Sequence, residues 1–336
     1  MHIGPYELAA PVMLAPMAGI TDKPFRRLCR DFGAALAPSE MITSDQSLQH
    51  TRKTVLRADH SGDVGPISVQ IAGSDPEQMA AAAVANVAKG AQIIDINMGC
   101  PAKKVCNVLA GSALMKDEAL VAEILQAVVA AVSVPVTLKT RLGWDDVHLN
   151  VPTIAKLAEA AGISALAIHG RTRTQMYQGD AQYELIAQVK AASSMPVTVN
   201  GDITSPKKAQ WVLNATAADA VMIGRGAQGA PWLFRDVVGY LATGQLPEAL
   251  SVATISDVIL GHLAAIYDFY GEYMGCRIAR KHIGWYVAAL PDAKAFRQQV
   301  NKVDSSSEQW AQMAAYLAQQ RATLAAWPTA YRVGTD

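Results

Sequence analysis

Eight short runs of apolar, strand-forming residues recur along the first two thirds of the chain, at Val12–Pro16, Ala34–Ser39, Ile67–Ile71, Gln92–Asn97, Val134–Thr140, Ala165–His169, Val197–Asn200 and Ala218–Ile223. Most are continuous rather than alternating, the pattern of strands covered on both faces. Between them lie Ala-rich segments with helical spacing, at Glu77–Lys89, Glu118–Val132, Thr153–Ala161, Tyr183–Ala192 and Lys207–Leu213. Strand and helix in alternation imply a parallel sheet with helices on its outer face. Eight βα units in about 240 residues have the size of a closed (β/α)8 TIM barrel, so the expected class is α/β. A doubly wound open sheet is the rival architecture, and it more often uses five or six strands. The connection from Glu40 to Pro66 is the least regular and is expected to hold short helices or a lid. After Gly244 the pattern changes. Gln245-Leu246-Pro247 looks like a linker, and from Val252 to Thr323 helical periodicity meets no strand signal. Residues 1–244 are therefore expected to form the barrel and 245–336 a small all-helical domain.

The carboxyl ends of the predicted strands collect small and polar residues, and a barrel brings those ends together on one face. Strand 1 runs into Ala15-Pro16-Met17-Ala18-Gly19, strand 3 ends near Gln70, and strand 4 ends in Asn97-Met98-Gly99-Cys100-Pro101. The last places a thiol at a strand tip. Strand 5 carries Lys139 and Arg141, and strand 6 ends His169-Gly170-Arg171-Thr172-Arg173. Strands 7 and 8 end Asn200-Gly201-Asp202 and Gly224-Arg225-Gly226. Gly224 to Gly229 matches G-x-G-x-x-G, with Glu248 about 20 residues on, as a dinucleotide fingerprint requires. That reading is rejected because no later βα unit completes a mononucleotide fold and Glu248 is not at a strand end. The loops after strands 7 and 8 suit a phosphate instead. Gly201 and Gly224 allow close backbone approach, and Arg225 adds a charged fork.

Composition narrows the partners. The chain has 336 residues, 51% of them hydrophobic and 17% charged, so a sizeable core is expected. Lys and Arg total 29, as do Asp and Glu. Global charge thus gives no reason to expect nucleic acid or membrane, and any such surface must be local. Met1 to Tyr6 lacks the basic and apolar regions of a secretory signal. The apolar window from Ala119 to Leu138 is broken by Glu123, Gln126, Ser133 and Pro135, as a helix followed by a strand would be. Cys29, Cys100, Cys106 and Cys276 are scattered, which indicates neither a disulfide framework nor a metal site and suits a cytoplasmic protein. One stretch is locally basic: Arg277 to Lys302 holds six Lys or Arg against one Asp. Arg277, Arg280 and Lys281 share a helix face, followed by Trp285 and Tyr286, a combination suited to RNA backbone and stacking contacts. Lys103, Lys104, Arg171 and Arg173 extend such a track to the pocket mouth.

The segments Ala15 to Asp22, Asn97 to Val105, Lys139, Ile168 to Arg171, Asn200 to Asp202 and Gly224-Arg225, in this order and spacing, resemble the tRNA-dihydrouridine synthases. Gln70 to Ser74, Asn97 to Val105 and Arg277 to His282 are similar to the bacterial B-type branch. The resemblance spans Ile3 to about Tyr316. It implies an FMN enzyme that reduces a uridine in the tRNA D-loop, position 17 favoured, with NADPH or NADH as reductant. The chain is further expected to be monomeric and cytoplasmic, with no membrane partner. The resemblance also implies roles. Pro16, Met17 and Ala18 lie against the flavin. Gln70 and Lys139 contact its ring. Asn200, Gly201, Asp202, Gly224 and Arg225 hold the ribityl chain and phosphate. Asn97 and His169 stand near the uracil, His169 also beside the cofactor, and Cys100 is the catalytic cysteine. The chemistry agrees with these types. Reducing C5=C6 of uracil needs a hydride on one carbon and a proton on the other, and a thiol of ordinary pKa is still about 97% protonated at pH 7. A fixed ammonium such as Lys139 stabilises charge on a reduced flavin. Two other functions fit the same residues: an FMN barrel acting on a small pyrimidine or enone, and a tRNA-binding folding factor with a vestigial flavin.

Overall fold

Eight parallel strands form one sheet: Val12–Leu14 (β1), Ile42–Thr43 (β2), Ser68–Ala72 (β3), Ile93–Met98 (β4), Val136–Arg141 (β5), Ala165–His169 (β6), Val197–Asn200 (β7) and Ala220–Ile223 (β8). Their order is β1-β8-β7-β6-β5-β4-β3-β2. The computed structural model describes residues 1–48, 50–106 and 110–332. The chain divides into two compact units, one of Met1–Ile203 with Lys207–Gly224 and one of Thr204–Pro206 with Arg225–Asp336. All eight strands belong to the first.

The segment before β2 closes the sheet on itself. Leu36 bridges Met13 of β1, and Ser39 N–H then donates to Ser68 O of β3 at 3.0 Å. The sequence placed the second strand at Ala34–Ser39. Pro38 lacks an N–H and cannot continue a ladder, so that stretch contributes a single bridge and the paired strand lies at Ile42–Thr43. The irregular connection after it contains a 3-10 turn at Gln46–Leu48 and a helix at Arg52–Ala58. Helix Lys23–Asp31, absent from the sequence reading, is capped by Asp22, whose side chain accepts from Phe25 N–H at 3.0 Å. The expected helices stand at Pro76–Ala88, Glu118–Ala131, Val151–Ala161, Glu184–Ala192 and Pro206–Thr216.

Along each strand one parity faces the helices and the other faces the barrel axis. Ile94, Ile96, Leu138, Leu166, Ile168 and Val199 are fully buried under the helical layer. The inward parity is apolar at one end and polar at the other. Met13, Ile93, Ala165, Ala167, Ala220 and Met222 cluster with Ile3 and Leu8 of an N-terminal hairpin, which plugs the amino ends of the strands. Gln70, Asp95, Asn97, Thr137, Lys139, His169 and Asn200 occupy the same parity towards the carboxyl ends, and all are buried.

The second unit is helical, with helices Leu233–Thr243, Val252–Tyr270, Glu272–Tyr286, Ala293–Val300 and Ser306–Thr323. Val252–Tyr270 is the one described helix long and apolar enough to cross a membrane. Its buried Ile255, Ile259, Leu263 and Ile266 face a bundle core made with Glu272–Tyr286 and Ser306–Thr323. Gly275 permits the close crossing, since a Cβ there would stand 3.0 Å from Tyr267 Cα. His262 and His282 meet edge to face at 4.8 Å, and burial pushes His262 down to about 3, so this pair packs as neutral rings. The glycine motif after β8 also resolves here. Gly229 has φ +74° and a Cβ there would lie 2.6 Å from Trp285 O, so it serves helix packing.

Candidate active site

A chain of hydrogen bonds runs across the polar end of the barrel from β5 to the turn after β4. Thr137 Oγ1 donates to Asp95 Oδ1 at 2.6 Å, and Gln70 Nε2 donates to Asp95 Oδ2 at 2.7 Å. Asn97 Nδ2 donates to Gln70 Oε1 at 2.8 Å. Asn97 Oδ1 accepts from Cys100 N–H at 3.0 Å and Gly99 N–H at 3.3 Å. That last pair is a local side-chain turn, which ends β4 and sets the direction of the cysteine segment. On the neighbouring strands Lys139 Nζ donates to Asn200 Oδ1 at 3.1 Å, while Asn200 Nδ2 donates to Met222 O at 2.7 Å. The sheet register places Lys139 beside Asn97 and Asn200 beside His169.

Cys100 is half-buried and, like Cys106, a free thiol. Ser112 Oγ donates to Cys100 O at 2.9 Å, and Arg141 Nε donates to Gly99 O at 2.7 Å. Gly111, at φ +63°, lies so close that a Cβ would stand 2.8 Å from Cys100 O. Burial pushes the Cys100 thiol up, opposed by the Ala102 backbone N–H and by the cations Arg141 and Lys139. Burial, with Arg141 adding repulsion, lowers Lys139 to about 8. Burial raises Asp95 to about 6 against the hydrogen bonds from Thr137 and Gln70. The site thus holds a protonated thiol, a cluster of amide donors and a poorly solvated ammonium within one barrel end.

Two residues assigned to binding from the sequence have structural partners. Arg171, 2% exposed, grips Asp202 through both guanidinium nitrogens at 2.8 and 2.6 Å and also donates to Gln178 O and Gly179 O. Its charge is directed onto Asp202 and these carbonyls. Asp202, at φ +48°, additionally accepts from Ala181 N–H at 2.8 Å. Gly201, at φ +128°, has no room for a Cβ, which would meet Ala181 at 2.7 Å. Gly224 is looser, with Ala15 and Met17 at 3.5 Å. Pro16 and Met17 are half-buried and Ala18 is exposed, on a loop held by Met17 N–H to Thr21 Oγ1 and by Gly19 N–H to Glu40. Glu40 is itself buried and ion-paired with Arg57 at 3.2 Å.

Arg173 stacks on Trp144 at 4.7 Å from the ring centroid, with Lys116 at 3.8 Å on the same ring. Tyr177, half exposed, lies 6.2 Å from His169 and under the Arg141 guanidinium. Lys103 and Lys104 open the short helix Lys103–Cys106, and their side chains lie outside the described residues. Arg225 is exposed and begins the second unit in the turn Arg225–Ala227. In that unit Arg277 is exposed and lies over Tyr273, Lys281 is half-buried, and Arg280 is tied to Asp304 at 2.7 Å and Val303 O at 3.1 Å. The sequence reading gave no role to Asp95, Thr137, Arg141, Glu40, Trp144 or Tyr177. Asp95 was detectable: it is two residues before Asn97 and therefore on the same face of β4.

The sequence matches the dihydrouridine synthase family model over residues 13–323. This chain belongs to the dihydrouridine synthase family. A relative from Pseudomonas syringae pv. tomato, named tRNA-dihydrouridine synthase B, is 58% identical over 319 residues, covering 95% of each chain. A protein of the same name from Xanthomonas axonopodis pv. citri is 60% identical over 311 residues, covering 93% of this chain and 94% of its own. Among solved structures, a variant of NCR from Zymomonas mobilis superposes with a TM-score of 0.52 at 17% identity, covering 76% of this chain and 93% of that one. That likeness concerns the fold. The barrel end described above places the Cys100 thiol at the tip of β4 in this family member.

Proposed function

We propose that this chain reduces the C5–C6 double bond of a D-loop uridine in tRNA, position 17 foremost, with FMN held in the barrel and NADPH as reductant. The observation that carries this reading is Cys100, a thiol kept protonated by burial at the tip of β4, beside amide donors and the Lys139 ammonium. The residues fit a flavin. Gln70 and Asn97 each have one N–H left after their internal hydrogen bonds, a match for ring carbonyls. Among the described residues Lys139 meets no carboxylate hydrogen-bond partner, and a ligand carrying negative charge would restore its protonation. Gly201 and Gly224 sit at the ends of β7 and β8, where barrels bind phosphate. Bound FMN supplies the hydride. Cys100 gives up its thiol proton to the neighbouring carbon, Asn97 and His169 orient the base, and Lys139 holds compensating charge. A base must leave the RNA stack to reach such an enclosed site.

The barrel is the catalytic part in this reading and the helical unit the tRNA-binding part, acting in the cytoplasm. Within that unit Arg277 and Tyr273 offer an exposed cation over an exposed ring, whereas Arg280 is engaged with Asp304. Arg277→Glu is accordingly expected to weaken tRNA binding and lower the slope of log affinity against log salt by about 1, with flavin content unchanged. Filter binding across a salt series measures both. An unchanged slope would remove Arg277 from the RNA contact. The function itself is tested by incubating the FMN-loaded protein with NADPH and tRNA lacking dihydrouridine. Nucleoside mass spectrometry should show a gain of two mass units at one D-loop position. Turnover of free uracil or orotate without action on tRNA would favour the small-molecule FMN barrel.

A further inference from the structure

The hydrogen-bond chain from Thr137 to Cys100 has a direction, and one residue imposes it. An ionised carboxylate only accepts hydrogen bonds. Asp95 is 5% exposed and faces Gln70 at 2.7 Å, so the Gln70 amide must turn its nitrogen to Asp95 and its oxygen to Asn97. Asn97 then turns its own nitrogen to Gln70 and its oxygen to the N–H groups of Gly99 and Cys100. The Asn97 oxygen accepts twice and the Gln70 oxygen once inside the chain. Among the described residues, one N–H on Gln70 and one on Asn97 remain for a ligand.

We propose that Asp95 is a positioning residue that fixes the amide sense of Gln70 and Asn97, so that each offers its remaining N–H to a ligand at this wall. This rests on the function proposed above and deepens it. A donor-rich wall accepts groups rich in carbonyl oxygen, as uracil and the flavin ring are, and is less favourable to an exocyclic amino group such as that of cytosine. It also couples the base-contact amide to the backbone of Cys100, since the same Asn97 oxygen holds the cysteine turn. Asp95 itself touches neither the thiol nor Asn97. With burial raising it to about 6, Asp95 remains mostly ionised at neutral pH and keeps its acceptor role.

Shape and polarity can be separated by substitution. Asp95→Asn keeps an oxygen for Gln70, because the Thr137 hydroxyl can rotate to accept from the new amide nitrogen. Asp95→Leu keeps approximate volume and removes the acceptor, freeing the Gln70 amide to flip. In the FMN-loaded protein the Leu variant is expected to lose about tenfold to a hundredfold in kcat for tRNA. Its rate of flavin reduction by NADPH and its KM for tRNA should stay within about threefold of wild type. Asp95→Asn should restore kcat to within about threefold. An Asn variant as slow as the Leu variant would show that charge matters and amide sense does not, and overturn the proposal. So would a fully active Leu variant. Should the Leu chain fail to fold, Asp95→Val takes its place, and loss of kcat in the Asn variant alone still overturns the proposal. Wild-type protein that makes no dihydrouridine would count against the function rather than against this role of Asp95.

Discussion

Cys100→Ala is expected to lower dihydrouridine formation by about 10²- to 10⁴-fold, the range for losing a general acid, while flavin binding and its reduction by NADPH persist. The reduction needs a proton as well as a hydride, and Cys100 is the thiol at the tip of β4. Single-turnover assays with prereduced flavin isolate this step, read by nucleoside mass spectrometry. Loss of flavin reduction as well would assign Cys100 to cofactor binding instead. The pH dependence follows from sign. The reactive form is the protonated thiol, and burial raises its pKa above the ordinary thiol value. Activity limited by Cys100 should therefore persist through the pH where an ordinary thiol ionises and fall as pH rises through the raised value. A fall centred near pH 8 would point to Lys139, half of whose charge is gone at about 8 when no anionic ligand holds it.

Asp202→Ala is expected to destabilise the barrel by about 2–4 kcal/mol, because removing the carboxylate strands the buried Arg171 charge, although Asp202 itself is 27% exposed. Arg171 is 2% exposed and, among the described residues, keeps the Gln178 and Gly179 carbonyls once the carboxylate is gone. The Ala181 N–H loses its acceptor too, and the residue must still adopt φ +48°, which Asp tolerates better than Ala. Urea unfolding of the flavin-free protein, followed by circular dichroism, measures the loss. A change below about 1 kcal/mol would mean that the pair behaves as a surface ion pair. Asp202→Asn should lose less, since it retains an oxygen for Ala181.

The limits of legibility are local and physical. The barrel was legible because its strands are short continuous apolar runs, each trailed by a helix, a pattern that depends on burial rather than on sequence detail. Strand 2 was misplaced because its residues have strand propensity while Pro38 cannot join a ladder, and the pairing partner four residues later decides where β2 forms. Helix Lys23–Asp31 was missed because four Lys or Arg interrupt its few apolar residues, although Phe25, Leu28 and Cys29 stand at i, i+3 and i+4 and Asp22 before Lys23-Pro24 is a start signal of capping type. In the site, the residue types at strand tips were legible one by one. Arg171 and Asp202 looked like ligand contacts because each lies at a strand end, and nothing local shows that they face each other.

By itself the sequence determined the alternation of strand and helix, the helical character of the last third, the thiol at the tip of β4 and the family. These follow from periodicity and from short motifs, which need only neighbours along the chain. The tertiary structure alone decided how the charges are spent. It directs Arg171 to Asp202 and Arg280 to Asp304, removes water from Lys139, Asp95 and Cys100, and joins Thr137, Asp95, Gln70 and Asn97 across three strands into one directed chain. Hydrogen bonds and desolvation depend on distances between residues far apart in the chain, 61 positions for Lys139 and Asn200. No pattern along the chain encodes those distances; closure of the barrel does.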